Sequence, residues 1–85
     1  MRPYNLNAIA DEFTGAEGIA VLCGGLVLAQ IHSYAEDPLG SAKDAIYRMQ
    51  APDGTKDQLL DMLNPIARRV FQSVGRSDLI ERYGL

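Results

Sequence analysis

The chain is 85 residues long and carries eight basic and eleven acidic side chains, one histidine, one cysteine and no tryptophan. So short a chain excludes a two-lobed enzyme with a cleft between domains, and a single cysteine excludes an intrachain disulfide staple. A net charge of −3 is too small for an acidic nucleic-acid mimic and has the wrong sign for a non-specific nucleic-acid binder.

Leu, Ile, Val and Phe supply 22 of the 85 residues, more than a disordered chain carries, so residues 1–85 are read as one folded helical domain. Asn5 caps a first short helix in which Leu6, Ile9, Ala10 and Phe13 fall at helical spacing. Thr14 and Glu17 then form a capping box, the hydroxyl taking a first-turn amide and the carboxylate reaching back to the Thr14 amide. That box opens a helix over about residues 15–35, ended by Glu36-Asp37-Pro38. From Gly18 to Ala29 this helix has no charged or strongly polar side chain. The run is shorter than the roughly 18–20 residues a membrane span needs. Asp11, Glu12 and Glu17 also precede it, where a secretory signal carries positive charge. A buried segment in a cytoplasmic protein is the expectation. The alternative for this stretch is a β-hairpin turning at Gly24-Gly25, since both flanks are rich in Val, Ile and Leu.

Ser41 and Asp44 make a second box, opening a helix through about Gln50 with Ala42, Ala45, Ile46 and Met49 on its apolar side. Ala51-Pro52-Asp53-Gly54 reads as a turn. Thr55 and Gln58 make a third box, and Leu59, Leu60, Leu63, Ile66, Ala67, Val70, Phe71 and Val74 then keep one helical phase. Asn64-Pro65 interrupts that phase without breaking it, either as the cap and first proline of a new helix or as a kink within one. Gly75 closes the run, and Ser77 caps a last short helix with Leu79, Ile80 and Tyr83 inward. The fold class is therefore all-α: four to six short helices, with the apolar, glycine-bearing helix over residues 15–35 at the centre.

Catalytic chemistry has little to stand on. Cys23 and His32 are nine residues apart, about 900° of helix, so they occupy opposite faces and cannot form a nucleophile–base pair in one subunit. One histidine and one cysteine do not make a zinc site. Asp57 and Asp61 share a helix face that is most simply a solvated one, and Asp53-Gly54 lacks the alternating carboxylates of a calcium loop. Gly24-Gly25 precedes no lysine, so it is no phosphate loop. No enzyme activity, metal or cofactor is expected.

Two patterns point to contact instead. Gly18, Val21, Gly25, Leu28 and His32 form one stripe at three–four spacing, where small side chains let another helix come close. A helix apolar on every side needs more cover than 85 residues supply, so this stripe is expected to self-associate, most simply as a twofold dimer. The second pattern is basic: Arg68, Arg69 and Arg76, with the terminal Tyr83 and Leu85, form the expected docking surface for a larger protein, arginine and tyrosine being favoured anchors. The expected function is that of a small inhibitor or accessory protein of a bacterial or phage system, an argument from type. The alternatives are an anionic-ligand or nucleotide binder with its pocket between subunits, and a helix-turn-helix regulator built on residues 65–83. Phe71 before the turn, Asp78 and Glu81 on a two-turn second helix all speak against the latter.

Overall fold

A computed structural model of the chain describes residues 17–85. The helix expected after Asn5 and the Thr14 half of its neighbouring capping box lie outside the described residues. Within them the chain forms four helices and no strand: α1 (Glu17–His32), α2 (Pro38–Arg48), α3 (Asp53–Ser73) and α4 (Ser77–Tyr83).

In α1, Gly24 and Gly25 sit within the helix rather than at a hairpin turn. Two interior glycines cost about 1 kcal/mol each relative to alanine. Burial decides against the strand reading: Ala20, Cys23 and Val27 are at most 2% exposed, and only a helix brings residues three and four apart onto one inward face.

α2 starts earlier than the Ser41–Asp44 box implies. Asp37 is its cap, accepting from the Gly40 amide at 3.1 Å, and Pro38 occupies the first turn. An aspartate followed by proline combines a side-chain acceptor with a pre-set φ, and it takes the helix start from Ser41. A Cβ on Gly40 would lie 2.1 Å from the Asp37 carboxylate, so this cap requires glycine there. Asp44 instead pairs with Arg48 one turn on, at 3.0 Å and exposed to solvent.

α3 likewise begins before its expected box. Pro52 stands at the cap with no side-chain bond, and its carbonyl accepts the amides of Thr55 and Lys56 at 3.0 and 3.1 Å. The helix runs unbroken for 21 residues through Pro65. Proline has no amide to give the Asp61 carbonyl, but both residues are exposed, so the lost bond falls on the solvent side of α3 rather than in the core. Leu59, Leu63, Ile66, Ala67, Val70 and Phe71 are buried, while Leu60 and Val74 are half-buried at the margin. Ser77 does not cap α4; it is the first helical residue, and Arg76 holds the cap position without a side-chain bond.

Three helices end in the same hydrogen-bond pattern, the Schellman motif. After α3, Arg76 N–H donates to Phe71 O at 2.8 Å and Gly75 N–H to Gln72 O at 3.2 Å, with Gly75 at φ 74°. After α4, Leu85 N–H donates to Ile80 O at 3.0 Å and Gly84 N–H to Glu81 O at 3.2 Å, with Gly84 at φ 67°. After α1, Ala35 N–H donates to Gln30 O at 3.0 Å and Tyr34 N–H to Ile31 O at 3.1 Å. There the left-handed residue is Tyr34, at φ 57°, a conformation costing a side-chain-bearing residue about 1 kcal/mol.

α3 touches each of the other three helices, and α1 packs on α2 and α3. Cys23 and Val27 from α1, Ile46 from α2, Leu59 and Phe71 from α3 and Leu79 from α4 meet in the core, with no polar or charged side chain buried among the described residues. The opposite side of α1 stays in solvent.

Candidate functional site

The solvent side of α1 is built from Gly18, Leu22, Ala29 and His32, all exposed, with Val21, Gly25 and Leu26 half-buried beside them. Leu22 is 44% exposed. A Cβ placed on Gly18 or on Gly25 would meet nothing within 4 Å, so Leu22 stands between two notches, one turn away on either side. Four of the five residues expected in the self-association stripe lie on or beside this face. Leu28 does not: it is 7% exposed and belongs to the core. At 100° per residue it sits about 80° round the helix from Gly18, whereas Leu22 sits about 40° away. A line of successive three–four steps drifts round the helix into the core at Leu28, and Leu22 lies off it.

The arginine surface is spread over different roles. Arg76 holds Asp78 through two bonds of 3.0 Å. That contact lowers the Asp78 carboxyl below its ordinary range and raises the Arg76 guanidinium further. Arg69 Nη1 donates to Gln72 Oε1 at 2.9 Å, and Arg68 is exposed. Leu85 packs against the core, and Tyr83 is turned inward. The Tyr83 ring stacks on buried Phe71 at 6.1 Å and 20°, with Arg82 over it at 5.4 Å. Its hydroxyl accepts the Leu39 amide at 3.3 Å and donates to Asp37. The terminal pair thus serves the fold's own packing.

The Asp37–Tyr83 bond is the functional-looking contact that spacing alone does not reveal, since its partners are 46 residues apart. The signal that was available is Asp37-Pro38, a cap followed by a first-turn proline. Hydrogen bonds from Tyr83 and then from the Gly40 amide lower the Asp37 carboxyl. Burial, then the bond to Asp37, raises the Tyr83 phenol.

Cys23 is fully buried, and its thiol points at Leu59 O, 3.7 Å away. Burial pushes the thiol up to about 12, which keeps it protonated and unreactive at neutral pH. His32 is exposed on the other side of α1, so the two residues do not meet.

Two open clefts flank α2. One, of about 530 Å³, is lined by Gln30, Ser41, Ala45, Met49 and the Asp44–Arg48 pair. The other, of about 390 Å³, lies between Tyr47, Asp53, Lys56, Asp57 and Leu60, with Lys56 Nζ donating to the Tyr47 carbonyl at 3.1 Å. Neither lining contains histidine or cysteine. Among the described residues no group of three or more His, Cys, Asp or Glu side chains is placed to hold a metal, and no helix is long and apolar enough to cross a membrane. Comparison with protein-family models, with characterised proteins and with solved structures gives no match.

Proposed function

We propose that the chain is a non-enzymatic helical interaction module. It forms a twofold homodimer through the solvent face of α1 and, as a dimer, docks on a larger protein of a bacterial or phage system in the cytoplasm. Its architecture on this reading is a short-helix bundle in which apolar α1 becomes central only when a second copy covers it.

One observation carries the reading: α1 turns a side to solvent that has no charge from Gly18 to Ile31 and presents Leu22, 44% exposed, between two glycines with open space above them. A solvent-facing helix normally carries charged and polar residues on that side. Two copies each bearing a net charge of −3 repel elsewhere but meet here without desolvating any charge. A leucine knob against a glycine notch is also self-complementary, as a twofold interface demands.

Sedimentation across a concentration series tests it. The expected result is a mass near twice 9.3 kDa at tens of micromolar, and a monomer with an unchanged circular dichroism spectrum for Leu22→Glu. A wild-type chain still monomeric at several hundred micromolar overturns the proposal.

A further inference from the structure

We infer that Tyr34 is an anchor of that dimer, its ring packing on a second copy of the chain at the end of the α1 face. This rests on the α1 dimer and names a residue the stripe did not include. The first ground is an internal comparison. Of three helix ends with one hydrogen-bond pattern, two place glycine at the left-handed position and the third places Tyr34. A tyrosine there is held against its own backbone preference. Among the described residues nothing offsets this: Tyr34 is 92% exposed, and its ring has no hydrogen-bond or aromatic partner there.

The second ground is area. The 16 residues of α1 make a strip about 24 Å long and about 10 Å wide, on the order of 250 Å² per copy. Specific interfaces begin near 1,200 Å² in total and average about 800 Å² on each partner. The α1 strip alone falls short of that range, so the contact must extend beyond it. A tyrosine buries about 150–250 Å² and covers a similar patch on its partner, so one ring from each copy lifts the contact to the lower end of that range. The third ground is position. His32 closes the exposed face, and two residues of chain keep the Tyr34 Cα within about 7 Å of the His32 Cα, so Tyr34 stands at the end of the face it would extend. The ring is rigid and amphipathic, the type of side chain that anchors interfaces.

Tyr34→Gly separates this role from a structural one, because the two effects have opposite signs. The monomer, measured below the dissociation constant, should melt about 4 °C higher as the left-handed strain is relieved. The dimer should dissociate at least tenfold more readily. Tyr34→Asn, which also tolerates the left-handed region, should weaken the dimer similarly, and Tyr34→Phe should leave it intact. If Leu22→Glu breaks the dimer while Tyr34→Gly leaves its dissociation constant unchanged, the anchor is wrong and the α1 dimer stands. A fall in monomer melting temperature for Tyr34→Gly would likewise overturn the anchor, by assigning the ring an intramolecular role. A wild-type chain monomeric at all concentrations removes both.

Discussion

The Tyr83 hydroxyl bridges the start of α2 and the end of α4, accepting the Leu39 amide and donating to the Asp37 carboxylate that caps α2. Helix α4 packs on α3, so this phenol ties the C-terminal helix to a second helix, α2. The Leu39 amide is one of the first-turn donors that α2 cannot satisfy internally. Tyr83→Phe keeps the stack on Phe71 and removes both bonds; it should cost about 0.5–1.5 kcal/mol in urea unfolding. Asp37→Asn should destabilise in the same direction. The two changes together should cost less than their separate effects combined, because they remove one shared contact. Full additivity would mean the bond contributes nothing.

The same contact sets a pH dependence. The Asp37 carboxyl is lowered in the folded chain, so its contribution is present above the unfolded value near 3.8 and is lost as pH falls through the lower folded value. Tyr83 is raised, so its contribution is present below about 10 and is lost as pH rises through the higher folded value. Melting temperatures of the wild type and Tyr83→Phe should therefore differ most between about pH 5 and pH 9, and converge toward acid. A gap that stays constant down to pH 2 would rule out the linkage.

Cys23 gives the clearest chemical readout. With its thiol raised to about 12 by burial, a disulfide reagent at neutral pH should label the native chain only as fast as it opens. Labelling should become complete and rapid in denaturant. Stability should also fall as pH rises from about 9 toward 12, because only the unfolded chain ionises its thiol there. Immediate native-state labelling would contradict the burial.

The helical class and the inward face of α3 were legible in the sequence, because Leu59, Leu63, Ile66, Val70 and Phe71 keep a strict period and periodicity reports burial directly. Helix starts were less legible. Ser41–Asp44 and Thr55–Gln58 match a capping box, yet each lies inside its helix, since a local pattern does not reveal the competing Asp37-Pro38 and Pro52 starts upstream. Leu22 was missed for a different reason. On a helix apolar all round, spacing does not tell which side faces the core, and only the packing of α1 on α2 and α3 decides it. The Tyr83–Asp37 bond joins residues 46 apart; Asp37-Pro38 marks one end locally as a cap, but nothing local pairs it with Tyr83.

Pro65 offers a test of how strongly that α3 face is held. Proline within a helix costs about 3 kcal/mol, yet α3 continues through it. Because Pro65 is exposed, Pro65→Ala should restore the amide bond to Asp61 without disturbing the core. A gain of about 1–3 kcal/mol in urea unfolding is expected. A loss would show that the proline shapes α3 for a purpose the core does not need.

Two glycines should respond in opposite ways to the same substitution. At Gly40 a Cβ would strike the Asp37 carboxylate, so Gly40→Ala must displace the α2 cap and with it the Tyr83 partner; its melting temperature should fall. At Gly25 a Cβ meets nothing, so Gly25→Ala should raise monomer stability by about 0.5–1 kcal/mol through helix propensity alone. If α1 pairs as proposed, that methyl also fills the notch that receives Leu22 of the second copy, and the dimer should weaken even as the monomer gains. Measuring both quantities on one variant separates a glycine kept for close approach from one that only lowers helix stability. A Gly25→Ala dimer as tight as wild type would leave the notch without a role in association.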